Sequence, residues 1–201
     1  MSTRVPTRRL TVADIDDIRA YERIRETLRG DMIELRERRR VPVGTLISVA
    51  FENRETVRFQ IQEMARVERI TTDQGIQDEL DAYNPLVPEA GQLCATVFIE
   101  LTSDDAVREW LPKLVGIEQS VLLRLVNGEV VRCAVDPQHA AQLTRDEVTS
   151  AVHYIRFELT ATQCNSFRNG VTLVIDHPNY ADETKLPSTT VRELTNDLRG
   201  S

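Results

Sequence analysis

Lysine is nearly absent from this sequence: only Lys113 and Lys185 occur, and arginine supplies almost all of the positive charge. Basic residues are also outnumbered, because 25 Lys and Arg stand against 32 Asp and Glu, giving a formal net charge of −7 at pH 7. An acidic chain lacks the positive surface that attracts nucleic acid. The composition therefore predicts no nucleic-acid partner.

Long apolar runs are missing as well. No segment approaches the roughly 20 apolar residues that span a bilayer. The positively charged stretch Met1–Arg9 is not followed by the apolar region of a secretory signal. The three cysteines, Cys94, Cys133 and Cys164, are far apart and have no zinc-finger or redox-motif spacing. These absences predict a cytoplasmic protein, without a membrane partner, whose thiols are reduced and mostly buried.

The motifs of several enzyme classes are lacking too. The sequence has no phosphate-binding glycine loop, dinucleotide fingerprint, nucleophile elbow or paired-histidine metalloprotease motif. It also lacks the Glu-x-x-His motif of ferritin-like di-iron bundles, so the chain is not expected to be a rubrerythrin-like protein itself. The sequence leaves open whether the protein is an enzyme.

Helical periodicity is clearest near the N-terminus. Apolar residues recur at three- and four-residue spacing from Ile15 to Leu35, which predicts a helical segment within residues 1–40, as one helix or as two if Gly30 breaks it. The other predicted helices and helix starts are Asn53 to about Ile70, Asp73–Tyr83, Val107–Leu114 with a kink or break at Pro112, Asp136-Pro137, Thr144–Glu147 and a C-terminal helical tail at 188–201.

Strand patterns dominate the second half of the chain. Asn127-Gly128 favours a tight type I′ hairpin turn between two β-branched runs. The sequence predicts an α+β fold in a single domain, 1–201, with about six strands in one mostly antiparallel sheet and helices packed around it. The predicted strands are Leu46–Phe51, Leu93–Leu101, Val121–Val126, Val130–Val135, Ala151–Leu159 and Val171–Asp176.

Two histidines occupy matching places in the last two predicted strands. If these strands pair antiparallel with Leu159 opposite Val171, then His153 lies opposite His177 at one end of an apolar face. Directly opposed residues have Cβ atoms about 5 Å apart. The pattern therefore predicts two neighbouring imidazoles.

Two interpretations of this histidine pair stay open. Neutral imidazoles could bind iron, zinc or manganese, with Glu63 or Glu68 from the helix after Asn53 as a further ligand. Alternatively, both histidines are structural and form hydrogen bonds to the backbone or to Asp176.

Two further polar features of the sequence each have a structural and a functional interpretation. The basic run of Arg36, Arg38, Arg39 and Arg40 fits a solvated helix end, with a phosphate or acidic-partner site as the alternative. Gln60 lies close to the apolar stripe of its helix, where a buried polar group would need a partner.

Four segments resemble an uncharacterised bacterial family, the domain of unknown function numbered 3501, and the resemblance extends over nearly the whole chain. The segments are Phe51–Met64, Tyr83–Pro88, Val152–Tyr154 and Asp176–Tyr180. The resemblance implies genes that lie near those of rubrerythrin-like proteins and iron–sulfur oxidoreductases. It therefore implies an accessory or interaction protein for a redox partner in oxidative stress, and it supplies no catalytic residues.

Two functions from different classes thus remain as hypotheses. The first is the non-catalytic accessory protein for a rubrerythrin-like or iron–sulfur redox partner. The second is a metal-binding protein or metal-dependent enzyme built on His153 and His177. The oligomeric state is undetermined, with a homo-oligomer as one alternative.

Overall fold

The computed structural model describes residues 8–135 and 148–200. Within these ranges the chain forms six α-helices and nine strands. The helices are α1 Ile18–Arg39, α2 Arg54–Glu68, α3 Asp73–Tyr83, α4 Asp104–Lys113, α5 Ala161–Phe167 and α6 Ser188–Arg199. The strands are β1 Arg40–Val43, β2 Ile47–Glu52, β3 Gln92–Ile99, β4 Val121–Leu125, β5 Val130–Arg132, β6 Ala134–Val135, β7 Val152–Glu158, β8 Val171–His177 and β9 Tyr180–Lys185. In the described ranges, no helix is long and apolar enough to cross a membrane.

The strands form two antiparallel sheets. The first has the order β1-β2-β3-β7-β6 and the second β5-β4-β8-β9. The α+β class, the antiparallel pairing and the N-terminal helix agree with the sequence prediction, but the strands are more numerous and are divided between two sheets. The sequence did not predict β1 and β9, which are a short and a charged edge strand and carry little of the apolar alternation that identifies a strand. The predicted strand Val130–Val135 is divided into β5 and β6, which belong to different sheets.

The main core lies between facing sides of the two sheets. Alternate residues of β3 and β8 belong to one buried apolar cluster, for example Val97 and Leu173. A smaller cluster under α2 and α3 contains Ile61 and Leu80. The other side of the first sheet carries polar residues such as Glu52 and Thr96, and α1 and α2 border it. This polar side is where the candidate site lies.

The N-terminal helix is continuous. Asp17 caps α1 by accepting hydrogen bonds from the amides of Arg19 and Ala20. The helix then runs through Gly30 without a break, since the exposed position leaves only the modest intrinsic cost of glycine in a helix. The predicted starts at Asp136-Pro137 and Thr144–Glu147 lie outside the described residues.

The hairpin between β4 and β5 is confirmed, but its turn differs from the prediction. The loop has three residues, Val126, Asn127 and Gly128, and the Gly128 amide donates to the Leu125 carbonyl at 2.9 Å. Gly128 has a positive φ of 86°, whereas Asn127 does not have positive φ. A type I turn followed by a left-handed glycine gives the three-residue loop, so the type I′ assignment was wrong.

A buried arginine ties α1 to the first sheet and to the C-terminal helix. Arg39 is 1% exposed, and its Nε donates to the Phe51 carbonyl at 2.8 Å. Its Nη2 donates to the Glu52 carbonyl at 3.1 Å and also to the Asp197 carboxylate. Burial raises the pKa of the Asp197 carboxyl, and the Arg39 charge acts in the opposite direction. Removing Arg39 would therefore leave a buried acid without its cation.

Replacing this arginine tests its importance. We expect Arg39→Met to lower the free energy of unfolding by about 3–5 kcal/mol, because it leaves a buried carboxylate unpaired. The neighbouring Arg38 is 43% exposed and pairs with Glu193, so Arg38→Met should cost less than about 1 kcal/mol. Urea denaturation of both variants measures the difference, and equal losses would contradict the special position of Arg39.

Candidate functional site

The predicted histidine pairing was wrong. His153 lies on β7, which pairs with β3 and β6 in the first sheet, whereas His177 lies on β8, which pairs with β4 and β9 in the second. Both strands do bury the predicted apolar face, but they bury it in a core between two sheets. The apolar pattern is satisfied equally by facing strands and by neighbouring strands, so it could not distinguish them.

Both ring nitrogens of His177 are engaged by the backbone. The Asn179 amide donates to Nδ1 at 3.2 Å, so Nε2 carries the proton and donates to the Val115 carbonyl at 3.0 Å. This arrangement holds the β8–β9 turn against the segment before β4, and it matches the structural interpretation.

His153 faces a buried acid that the sequence analysis missed. Its Nε2 donates to the Ser150 carbonyl at 2.8 Å and lies 2.9 Å from the Thr149 hydroxyl. Its Nδ1 is 3.9 Å from Oε2 of Glu118, whose side chain is 3% exposed. Burial lowers the pKa of His153, and the Glu118 charge opposes that shift. In the described ranges that Oε2 atom has no hydrogen-bond partner.

The carboxylate of Glu63 is surrounded by donors from two helices. Its Oε1 accepts from the Tyr21 hydroxyl at 2.6 Å and from Arg25 Nε at 2.8 Å, and its Oε2 accepts from Arg25 at 3.0 Å and from Arg66 at 3.3 Å. These donors, Arg25 above all, lower the pKa of Glu63 to about 2. Glu68, by contrast, is exposed near the end of α2. The described part of the chain contains no group of three or more His, Cys, Asp or Glu side chains arranged to hold a metal ion.

The three thiols are not activated as nucleophiles. Burial raises the pKa of Cys94 to about 12 and that of Cys133 to about 11, and it also raises the pKa of Cys164. A reactive thiol needs a lowered pKa because the thiolate is the nucleophile. Cys94 is buried, and Cys133 and Cys164 are partly buried against the main core.

A cavity of about 400 Å³ lies on the polar side of the first sheet. We call it the outer cavity. It lies between the sheet and helices α1 and α2, and ligand sites typically have volumes of about 300–1,000 Å³. Its side walls combine apolar and polar groups, including Val57, Phe98, Gln60, Tyr83 and Tyr154.

Glu52 provides the carboxylate of the outer cavity. Its Oε1 accepts from the Thr96 hydroxyl at 2.7 Å, and its Oε2 accepts from the Thr56 hydroxyl at 2.6 Å. Thr96 lies on β3, and Thr56 lies in the first turn of α2, which Asn53 caps. In residues 8–135 and 148–200, Glu52 forms no ion pair. The pKa of Tyr154 is raised, mainly because the side chain is buried, and the charges of Tyr83 and Glu52 raise it further.

Arginines from the end of α1 border the cavity. Arg36 lies over the Phe59 ring with 5.5 Å between its guanidinium carbon and the ring centroid, and it makes no ion pair within the described ranges. Arg40 is instead neutralised by Glu100 and also donates to Ser48 at 3.0 Å. The basic run thus contributes one free charge to the cavity rim.

Comparison with known proteins shows the family. A family model described as "Protein of unknown function (DUF3501)" matches residues 9–198. The chain belongs to this family. It is also similar to a novel protein of unknown function from Burkholderia pseudomallei K96243, with 36% identity and a TM-score of 0.86 over 94% of this chain and 98% of that chain. No curated protein matches significantly.

The family segments and the outer cavity coincide in part. Three of the four segments that carry the resemblance contribute lining residues: Phe51–Met64, Tyr83–Pro88 and Val152–Tyr154. These segments are distant in sequence and meet only because β2, β7 and the turn after α3 converge on one side of the sheet.

The Glu63 cluster predicts a specific pH dependence. The pKa of the Glu63 carboxyl, about 2, lies below the ordinary 4.5. The stability that the ionised Glu63 gives to the fold is therefore present above pH 4.5 and is lost as the pH falls toward 2. We expect Glu63→Gln to lower the free energy of unfolding by about 1–3 kcal/mol at neutral pH and to differ less from the wild type at acidic pH. Urea denaturation across this pH range is the measurement. The exposed Glu68→Gln is the control, and an equal effect of Glu68→Gln would contradict the assignment.

Proposed function

We propose that this protein binds a small zwitterionic ligand in the outer cavity. In this proposal, Glu52 accepts hydrogen bonds from a positively charged amine of the ligand, and Arg36 binds an acidic group at its other end. The observation that carries the proposal is the carboxylate of Glu52, which lines a cavity without a cationic partner among the described residues.

The two threonines orient Glu52 without neutralising it. A carboxylate has about four lone-pair positions, and the Thr56 and Thr96 hydroxyls use one on each oxygen. Glu52 is half-buried, and removing even part of a charge from water is costly unless a partner compensates. An ammonium group at this position would supply both the missing charge and the remaining donors.

The walls would determine the orientation of the ligand body. Val57, Leu86 and Phe98 offer apolar contact. The Gln60 amide and the Tyr83 hydroxyl make no hydrogen bond with another described residue and remain available to a ligand. A mainly apolar lining with a few convergent polar groups is typical of small-molecule sites.

A ligand panel tests the proposal. Amide resonances of Glu52, Thr56, Gln60 and Thr96 would be followed by NMR while amino acids, simple amines and the corresponding deaminated acids are added. We expect at least one zwitterion to shift these resonances, and Glu52→Gln to weaken its binding at least about tenfold, since a charge-assisted hydrogen bond contributes about 1.5–3 kcal/mol.

The matched control is Glu55→Gln, three residues away on α2, where the side chain is exposed. It should leave the affinity unchanged. Equal binding of the deaminated acids, or an unchanged affinity of Glu52→Gln, would contradict the role given to Glu52. If no compound in the panel shifts the cavity resonances, the proposal fails.

The accessory role for a rubrerythrin-like or iron–sulfur redox partner stays a prediction. The high thiol pKa values argue against disulfide chemistry by this chain, whereas ligand binding is compatible with an accessory role. Co-purification from the native host tests the partnership. The metal hypothesis for His153, His177, Glu63 and Glu68 also stays a prediction, which elemental analysis of the natively purified protein would decide.

A further inference from the structure

A second concave surface shares no lining residue with the outer cavity, and its charged lining residues are all cationic. This groove has a volume of about 460 Å³ and lies beside α6, with the loop at 168–170 and the end of β9 as its other walls. Its cationic lining residues are Arg168, Lys185, Arg192 and Arg199. We call it the basic groove.

The charge of the basic groove is uncompensated. Asp and Glu are absent from its described lining, and its four cations form no ion pair with any residue in the described ranges. All four are exposed. In a protein whose net charge is −7, the convergence of free cations on one concave surface requires a physical reason.

The two charged faces of α6 supply that reason. Glu193 and Asp197 lie on the side that binds Arg38 and the buried Arg39. Arg192 and Arg199 are seven residues apart, close to two helical turns, and therefore share the opposite side. Because the acids are used inside the fold, the basic side of the helix remains without partners.

The N-terminus of α6 adds hydrogen-bond donors to the groove. The helix has 12 residues, and its N-cap residue, Pro187, provides no side-chain cap for the first-turn amides. Ser188, the first residue of the helix, lines the groove. The oxygens of a phosphate accept hydrogen bonds from such donors: the amides at a helix N-terminus, a hydroxyl and the paired N–H groups of arginine.

We propose that the basic groove binds a small ligand with clustered phosphate groups. The stretch from Ser188 to Arg199 extends over about 17 Å at 1.5 Å per residue, which exceeds the size of a single phosphate. Several phosphates would therefore contact separate cations along the helix, with Arg168 reaching them from the facing loop. This inference does not depend on the function proposed for the outer cavity.

Calorimetric titration with inorganic triphosphate tests the inference. We expect binding at low ionic strength that weakens as salt is added, because exposed charges are screened. The double variant Arg192→Glu and Arg199→Glu should weaken binding at least about tenfold. Arg168→Glu, on the facing loop, should also weaken it, and this variant leaves the helix sequence intact. Arg23→Glu on α1 makes the same charge change at an exposed position outside the groove and should have no effect.

Two further probes define the ligand. ATP that binds more tightly than triphosphate would indicate that a nucleoside also contacts the groove, whereas equal affinity would indicate recognition of the phosphates alone. A hexaglutamate peptide that binds more tightly than either would overturn the proposal in favour of an acidic protein partner. Absence of triphosphate binding, or affinity that survives both sets of charge reversals in folded protein, would also overturn it.

Discussion

The buried guanidinium of Arg39 is the constraint on which the rest of this structure depends. A cation that is 1% exposed is tolerated only with close partners, and here it binds two carbonyls at the end of β2 and the carboxylate of Asp197. One side chain therefore determines where the end of α1, the last residues of β2 and the C-terminal helix meet. Because guanidinium is planar and has five donors, it can join three elements where a lysine could not.

Both proposed sites follow from this junction. Arg39 holds the backbone carbonyl of Glu52, whose side chain then reaches the hydroxyls of Thr56 and Thr96 in the outer cavity. On the other side, Arg39 draws Asp197 inward, so that the opposite face of α6 and its arginines border the basic groove. The Arg39–Asp197 ion pair thus joins β2, which carries Glu52 of the outer cavity, to α6, which carries arginines of the basic groove.

Several residues that are suggestive in the sequence form contacts within the fold. His177 has both nitrogens engaged by backbone groups, and Glu63 is surrounded by Arg25, Arg66 and Tyr21. The Glu118–His153 contact is buried in the core. Histidines and acids in regular strands and helices attract functional interpretation, but here their hydrogen-bonding capacity is largely used to join elements of the fold.

The sequence by itself determined most of the local structure. Apolar periodicity predicted α1, Asn53 marked the start of α2, and the turn residues predicted the β4–β5 hairpin. Each of these depends on interactions among residues close in sequence, for which spacing and turn chemistry are sufficient. The resemblance carried by a few short segments likewise indicated the family.

Only the tertiary structure decided which elements meet. Apolar alternation in β7 and β8 requires burial but does not specify whether the partner is a neighbouring strand or a facing sheet, and the two histidines were misplaced for that reason. Glu52 and Thr96, or Arg168 and Arg192, are far apart in sequence, and no periodicity connects them. Long-range packing brings such residues together, and the buried Arg39 restricts how α1, β2 and α6 can be arranged in a way that local pattern does not.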